Sequence, residues 1–193
     1  KAAEQGDASA QNNLGVMFRK GKGVERDDKE AVNWYRKAAE QGNALAQVNL
    51  GWAYHKGLGV EQDYKEAVKW YRKAAEQGHA TAQTTLGQMY RFGNGVKQDE
   101  KKAVEWFHKS AEQGHSLGQV CLAQMYRDGK GVKQDYKKAI EWFTKAAEQG
   151  FPIAHRGLGH LHLVGWGFPR ITRRHMRGSP SLLPMALQMP RRA

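Results

Sequence analysis

Five copies of one pentapeptide constrain this chain more than any other feature. Ala-Ala-Glu-Gln-Gly stands at 2–6, 38–42, 74–78 and 146–150, with Ser-Ala-Glu-Gln-Gly at 110–114, and each copy follows the last by 36 residues. A second marker keeps the same step: Gly21-Lys22-Gly23-Val24, Gly57-Leu58-Gly59-Val60, Gly93-Asn94-Gly95-Val96 and Gly129-Lys130-Gly131-Val132. Self-similarity at such a period is the signature of a solenoid, in which each unit buries its apolar face only against its neighbours. Four complete units, 7–42, 43–78, 79–114 and 115–150, exceed the roughly three that a continuous core requires. A remnant at 1–6, read as a helix stub, precedes them, and a partial unit at 151–166 follows. The chain opens on Lys1 inside a repeat, so it is expected to be a piece of a longer protein.

Each unit reads as two helices. In 43–78, Ala46, Leu50, Ala53 and Tyr54 recur at i, i+4, i+7 and i+8, one face of a first helix. Gly51 inside that helix costs roughly 1 kcal/mol relative to alanine. The same repeat position holds Gly15, Gly87, Ala123 and Gly159, which predicts close approach of a neighbouring helix. Gly57 ends the first helix and Gly59 lets the chain turn. Asp63 then caps a second helix over 64–77, with Glu66 as the reciprocal half of a capping box. Asp27 and Glu30 repeat the pair, whereas Asp99 and Asp135 are followed by Lys102 and Lys138 and keep only the cap. On the second helix Ala67, Trp70, Tyr71 and Ala74 share a face. The aromatic pair recurs as Trp34-Tyr35, Trp106-Phe107 and Trp142-Phe143, and reads as core rather than as a platform for nucleobases.

The pattern Ala-x-x-x-Leu-Gly-x-x-Tyr-x-x-Gly-x-Gly-Val at 82–96, with Asp and Ala-Val-x-Trp-Tyr-x-Lys-Ala-Ala-Glu-Gln-Gly at 63–78, resembles the Sel-one-like repeat, a relative of the tetratricopeptide repeat. The resemblance covers about 1–159. It implies an all-α, right-handed α/α superhelix of 36-residue helix-turn-helix repeats, serving as an adaptor or scaffold for protein complexes and common in bacteria. Some secreted, cysteine-rich relatives carry a disulfide in each repeat; Cys121 is the single cysteine here, so that property does not carry over.

The formal charge of +12 raises nucleic-acid binding as a function, but its distribution argues against it. Residues 151–193 hold seven arginines and no acid, so most of the excess lies outside the repeats. From about Leu161 the repeat fades, although Gly165 and Gly167 still keep the 36-residue step. Read one base out of register, Met185-Ala186 forces a glycine and Met189-Pro190 an alanine at positions that the repeat would give to glycine and alanine. The reading is that the frame shifts between about 159 and 167, making 167–193 an aberrant basic tail. Arg170, Arg173, Arg174, Arg177, Arg191 and Arg192 are then expected to carry little functional weight. A naturally basic tail that binds nucleic acid is the alternative.

Signals of catalysis are missing. The Gly-x-Gly loops lack the third glycine of a dinucleotide site and the Lys-Ser/Thr of a phosphate loop. None of the five serines has lysine three residues on, and no His-Glu-x-x-His occurs. A cell-wall or β-lactam-related enzyme, suggested by the cysteine-rich relatives, is therefore the weaker reading. No catalytic, metal or cofactor residue is assigned. His79 and His115 read as polar residues at turns, and His155, His160 and His162 lack the carboxylate or thiolate that would complete a ligand set. No apolar run reaches the ~18 residues of a membrane span, and the compartment is left open between bacterial periplasm and cytoplasm.

A partner is expected on a concave wall of first helices. Alignment with the tetratricopeptide helix places groove residues two before the Leu of Leu-Gly-x-x-Tyr, two after it and five after it. These are Asn12, Val16 and Arg19; Val48, Trp52 and His55; Thr84, Gln88 and Arg91; and Val120, Gln124 and Arg127. Each trio falls at i, i+4 and i+7 on one stripe. Arg19, His55, Arg91 and Arg127 would offer cations to carboxylates and Trp52 an apolar anchor, so the expected partner is a peptide or protein with acidic groups.

Overall fold

The computed structural model describes residues 1–163. Among them are nine α-helices and no strand: α1 (Ala8–Lys20), α2 (Asp28–Glu40), α3 (Ala44–Lys56), α4 (Tyr64–Glu76), α5 (Ala80–Phe92), α6 (Glu100–Glu112), α7 (Ser116–Asp128), α8 (Tyr136–Glu148) and α9 (Pro152–Leu163). The chain is an all-α repeat solenoid. Helices pack chiefly on their neighbours in sequence, and α5 also touches α7, the first helix of the next unit. The remnant at 1–6 forms a hydrogen-bonded turn instead of the expected helix stub. The residues assigned to a shifted frame, 167–193, lie outside the described residues.

Eight helices begin on a side chain that accepts a backbone N–H of the first turn: Asp7, Asp27, Asn43, Asp63, His79, Asp99, His115 and Asp135. The expected capping boxes stay half-made. The N–H groups of Asp27, Asp63, Asp99 and Asp135 donate to the carbonyls of Phe18, Tyr54, Tyr90 and Tyr126, at 3.1, 3.0, 2.9 and 2.9 Å. A carbonyl at the end of the first helix thus replaces the glutamate, and the same bond fixes the turn between helices. Glu66 pairs with Lys69 instead, and Glu30 accepts from Asn33 Nδ2 at 3.3 Å.

Two glycine positions set the packing distances. A methyl group on Gly15, Gly51 or Gly87 would come within 2.7, 3.1 or 2.6 Å of the rings of Tyr35, Tyr71 or Phe107, so the two helices of a unit approach closely. Gly159 meets no atom within 4 Å; on α9 it is Gly157 that lies against Phe143, at 2.6 Å. The second glycine of each turn serves the stack. Side chains on Gly59, Gly95 or Gly131 would overlap the backbone carbonyls of Asp28, Tyr64 or Glu100, the first turn of the second helix of the preceding unit.

The Trp-Tyr pair splits. Tyr35, Tyr71, Phe107 and Phe143 are buried core, whereas Trp34, Trp70, Trp106 and Trp142 are only half-buried. Each indole lies under the lysine three residues on, Lys37, Lys73, Lys109 or Lys145, whose Nζ stands 4.2–4.3 Å from the ring centroid. One residue of helix turns a side chain by ~100°, so adjacent aromatics cannot both face the same seam.

The pentapeptide glutamine has a tertiary role. Gln47 donates to Ala39 O at 3.1 Å and accepts from Gln77 Nε2 at 2.8 Å. Gln11, Gln83 and Gln119 make the same two bonds, to Ala3 and Gln41, Ala75 and Gln113, and Ala111 and Gln149. Each buried amide joins a first helix to the chain before it and to the second helix of its own unit.

Candidate partner-binding surface

The twelve residues assigned to a groove fall into two groups. Asn12, Thr84 and Val120 are 6, 1 and 1 % exposed, beneath any surface a partner could touch. The other nine are half-buried. The first group is buried by packing against the next unit or the second helix of the same unit, which the stripe rule does not include. Asn12 Oδ1 accepts from Asn49 Nδ2 at 2.8 Å. Thr84 Oγ1 lies 2.8 Å from Ser110 Oγ and 3.1 Å from His115 Nδ1.

Among the nine, contacts run from one first helix to the next with an offset of 33 residues, one helical turn short of the repeat. Arg19 lies over the ring of Trp52, 4.9 Å from its centroid. Gln88 Nε2 donates to Cys121 Sγ at 3.9 Å, and Arg91 Nη1 donates to Gln124 Oε1 at 3.2 Å. Val16 and Val48 pack against the cores beneath them. Asn49 and Cys121, missed in the sequence, belong to this strip. Each sits one position past an assigned residue, a shift the repeat period alone does not reveal.

The expected row of cations is uneven. Arg127 is held by the neighbouring Asp128 through two hydrogen bonds of 2.7 and 3.1 Å. His55 packs edge-on against Tyr64, with centroids 5.3 Å apart, and burial together with Lys56 pushes its pKa down, which favours the neutral ring. Arg19 and Arg91 remain, and neither pairs with a carboxylate among the described residues. Arg19 Nε is buried without a hydrogen-bond partner.

His79 and His115 are helix caps. Nδ1 of each accepts a backbone N–H, from Ala82 at 3.4 Å and from Gly118 at 3.3 Å. Burial lowers the pKa of both, and His79 lowers that of His115 further. The Cys121 thiol is buried and its pKa is raised by that burial, opposite to what activates a nucleophile. Among the described residues no group of three His, Cys, Asp or Glu side chains could hold a metal ion, and no helix is long and apolar enough to cross a membrane.

Similarity to known proteins is extensive. The chain is 46 % identical to a protective antigen of uropathogenic Escherichia coli displaying an SLR fold, with a TM-score of 0.85. That match covers 87 % of this chain but 36 % of the other, so the present sequence spans about a third of that protein. A Sel1 repeat protein from Oxalobacter formigenes is 41 % identical, with a TM-score of 0.81 over 86 % of this chain and 68 % of the other. Cysteine rich protein B of Helicobacter pylori is 27 % identical, with a TM-score of 0.52 over 69 % of this chain and 96 % of the other. No curated protein matches. The Sel1 repeat model matches four times, at 8–43, 44–79, 80–115 and 117–151, and proteins built from this repeat are generally protein-interaction scaffolds. This chain belongs to the Sel1 repeat family.

Proposed function

We propose that the chain is a non-catalytic scaffold that binds an acidic peptide segment of a partner protein along its first helices. The observation that carries this is the pairing of Arg19 and Arg91 with neutral groups, Trp52 and Gln124, in a half-buried strip. A guanidinium held by an amide or an indole can exchange that contact for a carboxylate, gaining a charge-assisted and often bidentate bond. Partial burial lowers the local dielectric and so strengthens the attraction. Trp52 adds the kind of aromatic anchor that dominates interface energetics. His55, Arg127 and the neighbouring Gln88 and Gln124 complete the strip, while Asn12, Thr84 and Val120 support it from below.

The test is an array of peptides containing Asp or Glu, each printed beside its Asn or Gln counterpart. The native chain should prefer the acidic member, and Trp52→Ala or Arg91→Glu should each weaken its binding by about tenfold or more. Equal binding of acidic and amide peptides, or no effect of either substitution, overturns the reading.

A further inference from the structure

We propose that the chain pairs with a second copy of itself along the edge formed by its four turns, the two copies running antiparallel about a two-fold axis between the second and third units. The edge is continuous. The turn carrying Gly59 sits on the backbone of Asp28 and Lys29, that carrying Gly95 on Tyr64 and Lys65, and that carrying Gly131 on Glu100 and Lys101. Residues 21–30, 57–66, 93–102 and 129–138 therefore follow one another as a single strip.

Charge along this strip changes sign at its middle. Residues 21–30 and 57–66 hold seven acidic against four basic side chains, whereas 93–102 and 129–138 hold seven basic against three acidic. One repeat position carries the switch most openly, with Glu25, Glu61, Lys97 and Lys133 in successive units. All four side chains are exposed, and none makes an ion pair with another described residue. The position that begins with Glu30 and Glu66 and ends with Lys102 and Lys138 switches likewise, but it is partly occupied within the chain: Glu66 pairs with Lys69, and Lys102 lies 3.7 Å from Asp99.

An order of two acids followed by two bases is the complement of its own reverse. Antiparallel pairing sets Glu25 against the partner's Lys133 and Glu61 against the partner's Lys97, and the two-fold axis repeats both contacts. Parallel pairing would set like against like, and a partner of one sign would be repelled by half of the strip. The pattern therefore selects a second copy as the occupant. Exposed ion pairs contribute little each and are screened by salt, so the dimer is weak and salt-sensitive.

Sedimentation velocity of the full chain tests this, at about 0.1 M salt, where charges beyond ~10 Å are screened but contacts persist, and at about 1 M. The parent should show a monomer–dimer equilibrium that moves to monomer at the higher salt. Two variants of unchanged net charge then locate the contact. Glu25→Lys with Lys97→Glu sets like charges together at both contacts and should weaken association by about tenfold or more. Glu25→Lys with Lys133→Glu exchanges the two signs across one contact and should associate as the parent does. A parent that stays monomeric at about 1 mM chain in the lower salt overturns the proposal, as does equal association of the two variants.

Discussion

Between α2 and α3 the chain buries Ala38 and Ala46 beneath an Asn43 cap. At the same repeat positions between α6 and α7 it buries Ser110 and Gly118 beneath a His115 cap. The helices are equally long in both places, so the backbone is indifferent to the exchange. What changes is the bookkeeping of volume and polarity. The oxygen that serine adds fills the space that glycine vacates, and a methyl group on Gly118 would lie 2.5 Å from Ser110 Oγ. That oxygen then needs partners, which it finds in Ala80 O at 2.9 Å and Thr84 Oγ1 at 2.8 Å. Thr84 stands where the neighbouring units carry Val48 and Val120. One seam pairs two alanine methyl groups beneath an amide cap; the other is a hydroxyl cluster that includes a titratable histidine cap.

The largest expected effect breaks this compensation. Gly118→Ala should destabilise the chain toward the upper end of the ~1–3 kcal/mol that overpacking costs. Adding Ser110→Ala recreates the alanine pair of the other seam and should recover most of the loss. Urea unfolding of both single variants and the double measures the coupling, and simple additivity would show that the seams do not differ in this way.

The two seams are expected to agree in a second test. Gln47→Leu and Gln119→Leu each remove the donor to a buried carbonyl, that of Ala39 or Ala111, and one acceptor of the Gln77 or Gln149 amide. Each should cost about 2 kcal/mol by the same unfolding measurement, since an orphaned buried polar group bears its desolvation penalty. A large difference between the two would mean that the glutamine pair is not a common fastener.

The smallest effect separates the seams by pH. His79 and His115 accept N–H bonds through Nδ1, and their pKa values lie below the ordinary value of 6.5. A histidine that binds its proton less well when folded stabilises the fold above its unfolded pKa, and this contribution is lost as pH falls through 6.5 toward the folded value. Protonation removes the acceptor and sets a positive charge at a helix N-terminus. Replacing both by asparagine, as at Asn43, should flatten that part of the stability profile between pH 7.5 and 5.5, by about 1 kcal/mol per cap at most. Thermal unfolding at the two pH values checks it, and identical profiles for parent and variant would refute the role of the caps.

Much of the fold was legible because helices of this kind announce their ends. Asp63 and Gly57 stand where a cap and a left-handed terminus were expected, and the close approach at Gly51 follows from a glycine that a helix otherwise disfavours. The capping box was misread because Glu66 is a suitable partner on local grounds, yet the carbonyl of Tyr54 reaches the Asp63 amide first. The site was less legible. Stripe geometry placed Thr84 and Val120 on the surface, whereas the helix of the next unit or the second helix of the same unit covers them.

The sequence by itself determined the period, the helix boundaries, the buried alanine and leucine face and the family. All of these depend on residues close together in one unit, where 3.6-residue periodicity and capping chemistry act. Only the tertiary structure decided that Tyr71 is buried while Trp70 is half-covered, that successive first helices meet one turn out of step, and that the glutamines fasten the units. Those depend on how far one helix is displaced and inclined against the next. Interdigitation of side chains across the seam sets that displacement, and a repeating sequence specifies which residues recur without specifying how far the ridges slide.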